Sequence, residues 1–355
     1  MKKALEINFD GIVGPTHHHA GSSLGNIPSM KHEGEVAHPK EAALQGLKKM
    51  KLLMDLGVPQ AVLPPQERPS IPLLRAFGFR GSDKEIIEKA GREAPPILRA
   101  VTATASMWAA NIATASASID TFDNKLHITV ANQLNRFHRS IESEETLRLF
   151  QLIFPGFTIH PPLPKGGDLG DEGTANQTRF CRSHGEKGVY LFVYGKELLD
   201  TTPRKFPARQ ALEASQAVAR QHGLPPIQSC FAQQNPEMID LGVFHNDLIS
   251  TGHRNIFLYH EHAFVKAEQT IQMLQEKVEK VCKCPLQAIE VTEEMLPAQR
   301  AIESYLFNSQ LVTLPDDSIA MIAEDQCRAL SLDWIPFPIY YCDLKQSMMG
   351  GGGPA

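Results

Sequence analysis

Short apolar runs alternate with amphipathic helical stretches along all 355 residues, and no linker rich in Pro, Gly or Ser divides them. That alternation excludes an all-helical or an all-β chain and requires a mixed α/β or α+β protein, most simply one domain over residues 1–355. Ala43, Leu47, Met50 and Met54 share one helical face, with Gly57 placed as a stop. Ile271, Leu274, Val278 and Val281 form a second such face in a charged segment. Pro207 is expected to open a third helix that turns Ala211, Ser215 and Val218 inward and ends at Gly223. Strands are expected at residues 126–131, 189–194, 256–259, 286–291 and 339–342. Residues 311–314 and 319–323 flank Pro315-Asp316-Asp317-Ser318, which reads as a hairpin.

The formal charge of -5 argues against a general nucleic-acid binder, whose phosphate contacts call for a basic surface. No apolar run approaches a membrane span, and the first residues lack an apolar signal core. A cytoplasmic location is the default expectation. The six cysteines, Cys181, Cys230, Cys282, Cys284, Cys327 and Cys342, show no disulfide-framework spacing. Cys282-Lys283-Cys284 is too tightly spaced for a zinc knuckle, so free thiols are expected.

Several polar clusters bear on chemistry. Gly242-Val243-Phe244-His245-Asn246-Asp247 sets a His and a carboxylate two residues apart, an arrangement suited to moving protons beside a bound cation. Gly167-Asp168-Leu169-Gly170-Asp171-Glu172-Gly173 places carboxylates among glycines, and alone reads as an acidic surface turn. His17-His18-His19 cannot all face one metal in a strand, because alternate side chains point oppositely. The small residues that follow, from Ala20 to Asn26, would suit a loop that wraps a polar ligand through backbone N–H groups. Arg139 and Arg209 offer forked donors of the kind that bind carboxylates. Gly350-Gly351-Gly352-Gly353 is no phosphate loop, since no Lys-Ser/Thr ending and no helix follow it.

Motifs in order along the chain carry a resemblance. They include Asn8-Phe9-Asp10-Gly11, Thr16-His17-His18, Glu67-Arg68-Pro69, Met107-Trp108 and Phe137-His138-Arg139-Ser140. Further on come Gly170-Asp171-Glu172-Gly173, Phe206-Pro207-Ala208-Arg209-Gln210, Gln233-Gln234-Asn235-Pro236 and Tyr305-Leu306-Phe307-Asn308-Ser309-Gln310. Together with the segment around His245 they closely resemble the N-succinylarginine dihydrolases of the arginine succinyltransferase pathway, which are guanidino-modifying enzymes. The resemblance implies a pentein α/β propeller of five pseudo-symmetric ββαβ units with the site at its centre. It implies a Cys–His–Glu catalytic set in which His245 and Glu172 supply the last two members. Substrate contacts are implied for Ala20, Gly21, Ser22, Ser23, Leu24, Gly25, Asn26, Ile27, Pro28 and Ser29, and for Asn111, His138, Arg139, Arg209 and Asp247. It further implies N-succinylarginine as the small-molecule substrate, a homodimer, and no metal or organic cofactor.

The chain departs from the family pattern at one place. The family motif reads Asn-Gly-Gly-Gly-Pro-Ala-Cys, and its Cys is the nucleophile. Here Gly350 stands where the family has a substrate-contacting Asn, and the 355 residues stop at Pro354-Ala355. The expectations are an incomplete last unit and a chain that lacks covalent turnover. Two other readings compete: a succinylarginine- or arginine-binding pseudoenzyme, and a metal hydrolase built from His17, His18 and His19 with His245 and Asp247.

Overall fold

The computed structural model describes residues 6–105 and 107–354. It contains five small sheets, each with a parallel pair joined by a crossover that carries an α-helix in the first four and a short 3-10 helix, Asp325–Ala329, in the fifth. Strand β1 (Asn8–Gly11) pairs in parallel with β2 (Gln60–Leu63). The other four sheets repeat one pattern: an antiparallel hairpin whose second strand takes a parallel neighbour after the crossover. They are β3 (Ala113–Ser116), β4 (His127–Val130) and β5 (Thr158–His160); then β6 (Gln177–Cys181), β7 (Gly188–Tyr194) and β8 (Ser229–Gln233). The fourth is β9 (Ser250–His253), β10 (Ile256–His260) and β11 (Gln287–Val291). The fifth is β12 (Gln310–Thr313), β13 (Ile319–Glu324) and β14 (Ile339–Cys342). A hairpin needs only a short turn, whereas a parallel return needs a long crossover, so each unit spends its helix on the second connection.

The sheets follow one another around a closed circuit. Strand β6 packs beside β9, and β9 beside β12. Gln310 at the start of β12 donates to Asn8 Oδ1 of β1, which joins the last sheet to the first. Helix Pro39–Asp55 reinforces that junction: Leu53, with Val58 just beyond the helix, packs against Val312, Ala320 and Ile322. The largest core lies between the third and fourth sheets, where Ile271, Leu274 and Val278 of helix Ala267–Cys282 meet Val189, Leu191 and Phe257. Fully buried side chains such as Leu274 and Phe257 each contribute about 1.5–3 kcal/mol through removal from water.

The architecture is the five-unit propeller implied by resemblance, with corrections. Among the described residues the two-stranded sheet is the first, β1–β2, and the last sheet carries all three strands. Ala355 lies outside the described residues. The buried face of helix Pro39–Asp55 is Ala42, Gly46, Lys49, Met50 and Leu53, while Leu47 and Met54 are exposed. The shift has an electrostatic cause: Lys49 turns inward to Asp10 at 2.7 Å, a pairing that apolar periodicity cannot show. The third helix starts at Leu212, not Pro207. Residues 207–210 stay outside it, held where Gly195 N donates to Gln210 O.

Candidate active site

A cavity of about 370 Å³ is lined from several of the units. Local chemistry brings each polar residue to it. Asn235 caps helix Pro236–Leu241, which ends at Gly242 with φ of 110°. A Cβ at Gly242 would also stand 2.7 Å from Ile27, so both conformation and space demand glycine. The chain then leaves the helix as Val243-Phe244-His245 and delivers His245 to the cavity. Asp247 follows in a short 3-10 turn, Asn246–Leu248, and receives a hydrogen bond from Asn308.

Glu172 sits behind His245 and is fully buried. Its backbone N–H donates to Gln210 Oε1 at 2.7 Å. Neighbouring Asp171 N–H donates to Asn132 Oδ1 at 2.9 Å. His245 Nε2 lies 2.8 Å from Glu172 Oε2, and Arg139 Nη1 lies 2.5 Å from the same oxygen. Asn135 Nδ2 donates to the other carboxylate oxygen at 3.3 Å. Burial opposes ionisation of Glu172, but Arg139, His245 and Arg209 outweigh it and hold the carboxyl well below the usual range. An ionised carboxylate only accepts, so His245 must carry its proton on Nε2 and keep its lone pair on Nδ1. Burial lowers His245 to about 4 despite the pull of Glu172, with Arg209 and Arg139 adding to the fall. The imidazole is therefore neutral near pH 7.

Arg209 is buried, donates through Nη2 to Ser23 Oγ at 2.9 Å, and lies 4.4 Å over the Phe244 ring. Arg139 is equally buried, and neither of its Nη atoms makes a well-directed hydrogen bond. His138 Nε2, Asn111 Oδ1 and Ser309 Oγ are likewise buried without partners, and all four residues line the cavity. Burying unpaired polar atoms costs roughly 1–3 kcal/mol each, so their convergence marks a place for a polar ligand. Asp247 is pushed up to about 7, first by burial and then by the charge of Glu172. Asp171 is raised to about 6 by burial, though it accepts from Gln210.

Of the residues singled out in the sequence, Ser23, Asn26, Asn111, His138, Arg139, Arg209, His245 and Asp247 line the cavity. Glu172 touches it only through His245. Ala20, Gly21, Ser22, Leu24, Gly25, Ile27, Pro28 and Ser29 do not line it. Their loop folds on itself: Gly21 N donates to Ser29 O, Ser23 N to Ser29 Oγ, and Ser29 N to Asn26 Oδ1. It therefore presents the Ser23 and Asn26 side chains rather than a row of free N–H groups. Gly350 also stands back from the cavity, where its carbonyl accepts from His19 N at 2.7 Å and Ala20 N at 3.1 Å. A Cβ there would lie 2.6 Å from His17 Nε2. Gly351, Gly352, Gly353 and Pro354 do reach the cavity, and Trp108 Nε1 donates to Gly353 O at 3.3 Å. A Cβ at Gly352 would fall 1.7 Å from the Trp108 ring.

His17, His18 and His19 do not converge with His245 and Asp247 as a set of metal ligands. His19 instead contacts the Thr104 carbonyl, and its ring lies 5.1 Å from that of His138 at a tilt of 56°. Sequence reasoning gave no role to Asp10, Lys49, Tyr305 or Asn308, which also line the cavity. Nothing in their spacing announces them; only the family motifs around residues 8–11 and 305–310 pointed there. Among the described residues no cysteine lines the cavity. Burial raises Cys342, the nearest in sequence, to about 11.

This arrangement can be set beside known proteins. The family model for succinylarginine dihydrolase matches residues 3–355. The N-succinylarginine dihydrolase of Aeromonas hydrophila is 48% identical over 99% of this chain and 82% of its own length. That of Hahella chejuensis is 49% identical over the same shares. Solved structures agree on the fold. The N-terminal domain of ArgZ, an arginine dihydrolase from cyanobacteria, superposes with a TM-score of 0.57 at 15% identity, covering 98% of this chain and 93% of that one. DDAH from Pseudomonas aeruginosa, complexed with citrulline, gives 0.53 at 13% identity over 98% and 96%. The buried Glu172–His245 pair, the two arginines around it and the near-complete match to one family model lead to a single assignment: the chain belongs to the succinylarginine dihydrolase family.

Proposed function

We propose that the central cavity binds N-succinylarginine and that the completed site hydrolyses it with two waters to N-succinylornithine, two ammonia and carbon dioxide. The observation that carries this is the set of orphaned polar atoms around a buried, neutral His245 paired with ionised Glu172. The ligand carries two carboxylates and one guanidinium. Arg139 and Arg209 suit the carboxylates as forked cations, and Asp247 suits the guanidinium. His138, Asn111 and the side chains of Ser23 and Asn26 supply further hydrogen bonds. Glu172 orients His245 and fixes its tautomer.

Family resemblance puts the nucleophilic cysteine directly after Ala355. Gly351 to Pro354 line the cavity together with His245, which supports that placement. Neutral His245 takes the thiol proton on Nδ1, the thiolate attacks the guanidinium carbon, and the tetrahedral adduct expels ammonia that takes that proton back from His245. Neutral His245 then takes a proton from water as it attacks the amidino-thioether, which releases the thiolate and a ureido product. A second round on that product gives ammonia, carbon dioxide and the free amine. A homodimer belongs to this reading by resemblance, and a cytoplasmic setting belongs to it as the default; no helix of the described residues is long and apolar enough to cross a membrane.

Ammonia release from N-succinylarginine tests the proposal with two polypeptides: these 355 residues, and the same residues continued by a Cys and a family-like C-terminal segment. Release by the longer polypeptide alone supports the reading. Equal release by both overturns the placement of the nucleophile. Calorimetry showing no binding to either polypeptide overturns the assignment of the cavity.

A further inference from the structure

A second cluster of side chains lies outside the central cavity. Glu6 precedes β1, His184 sits in the turn between β6 and β7, His253 ends β9, and Thr313 ends β12. His184 Nε2 lies 3.1 Å from Glu6 Oε2, and His253 Nε2 lies 3.6 Å from the same oxygen. Both ring nitrogens also face Thr313 Oγ1, at 3.2 Å and 2.7 Å. The hydroxyl and carboxylate oxygens can accept from both imidazoles, and two ring nitrogens converging on one carboxylate oxygen is also the arrangement that a shared cation occupies.

We propose that Glu6, His184 and His253 hold a divalent transition-metal ion of the zinc class. Two imidazole nitrogens and one carboxylate oxygen are a ligand set that zinc takes readily, leaving a fourth position for water. Their three ligand atoms lie within 4.8 Å of one another. A tetrahedral ion with bonds of 2.0–2.1 Å spaces its ligand atoms by about 3.4 Å. Two of the three edges, at 3.1 and 3.6 Å, already match, and the third lies within 4.8 Å. The side chains are 21%, 28% and 11% exposed, and they open on a cavity of about 500 Å³, so an ion and its water have a way in. The cations nearby are committed elsewhere: Arg254 binds Asp317 and the Arg182 carbonyl, and Arg179 binds Asp120 at 2.7 Å.

The position gives the ion a structural consequence. It ties the segment before β1 to the third and fourth sheets, beside the end of β12 in the fifth. Thr174, Asp247, Thr251 and Gly252 line both this cavity and the central one, so the ion lies behind one wall of the ligand site.

The test uses the full chain, stripped with chelator and titrated with zinc chloride or cobalt chloride. Metal content after desalting, the visible absorption of bound cobalt and the unfolding temperature are read together. The expected result is one tightly held equivalent, a tetrahedral cobalt spectrum and a raised unfolding temperature. H184A, H253A and the near-isosteric E6Q should each weaken binding by at least about tenfold. H18A, on the separate histidine run, should keep it. Circular dichroism of the metal-free variants shows that they fold; if the alanine variants do not, E6Q alone decides. A wild-type chain that holds no equivalent overturns the proposal, and so does metal that E6Q retains at wild-type affinity.

Discussion

Replacing Asp247 by Asn should weaken ligand binding while making the fold more stable at alkaline pH. The Asp247 carboxyl is raised from 3.8 to about 7 by burial and the charge of Glu172. A carboxyl whose folded pKa stands above its unfolded value binds its proton more tightly in the folded state. Its favourable contribution is complete below about pH 4 and is lost as pH rises through about 7. At 1.36 kcal/mol per pH unit the shift corresponds to about 4 kcal/mol. Asp247 is only partly buried from cavity water, and screening cuts the expected figure to about 2 kcal/mol. D247N carries no charge to desolvate. Urea unfolding should therefore find the variant about 2 kcal/mol more stable than the parent at pH 8 and nearly equal to it at pH 4. Binding moves the other way. Removing the carboxylate that faces a buried guanidinium costs roughly 2–5 kcal/mol, or about 30-fold to several thousand-fold in Kd for N-succinylarginine. The parent should also bind up to tenfold more weakly per pH unit below about 7, because the ionised form is the one that pairs. The variant should be flat over that range. Calorimetry with N-succinylarginine at pH 5.5, 7 and 8.5 checks this. Unchanged affinity in D247N, or a loss of stability at pH 8 as large as any at pH 4, would refute the reasoning.

Two further substitutions probe the walls of the cavity. Arg139→Lys keeps the charge but loses the fork, whose Nη1 pairs with Glu172 and whose Nη2 is left for a ligand; affinity for N-succinylarginine should drop about 10–100-fold, at roughly 1.5–3 kcal/mol per charged hydrogen bond, and an unchanged Kd would count against it as a carboxylate clamp. Lys49→Met leaves Asp10 buried beside Asn8 and Gln60 without its cation; denaturant unfolding near pH 7 should show a loss of about 3–5 kcal/mol, and a neutral result would mean that Asp10 finds water instead.

The sequence displayed its fold unevenly, and the reason is physical. Strands β7, β10, β13 and β14 were legible because they are runs of branched and aromatic residues. Strands β1, β3, β6, β8 and β9 carry polar or small residues, since several of them border the central or the second cavity and their side chains serve ligands instead of a core. Periodicity alone could not show the fivefold repeat, because the repeated feature is strand order, which different side chains satisfy equally well. At the site, His245 with Asp247 was legible from spacing. Glu172 was not: its segment reads as an acidic turn, and only folding buries it against Arg139 and His245. Lys49 misled the helix reading for the same reason, since a lysine scores as surface until its partner Asp10 is known.

The charges around the cavity also bear on which ligand it selects. Arg139 and Arg209 are both buried there, with Arg136 close enough to lower the Arg209 guanidinium further. Glu172 is the one carboxylate held firmly ionised beside them, and it is already shared between Arg139 and His245. The site therefore holds one more buried guanidinium than it can pair: Glu172 takes Arg139, and Arg209 donates to the neutral Ser23 hydroxyl. A ligand with two carboxylates and one guanidinium satisfies both arginines and Asp247. Free arginine has a single carboxylate and adds an ammonium, which leaves one guanidinium unpaired and brings a second cation beside it. An unpaired buried charge costs several kcal/mol, so arginine should bind at least about 100-fold more weakly than N-succinylarginine. Raising the salt should narrow that gap little, because pairs shielded from solvent are screened far less than surface ones. Competition calorimetry of the two ligands decides the matter: comparable affinities would mean that one of the two arginines serves the fold and not the ligand.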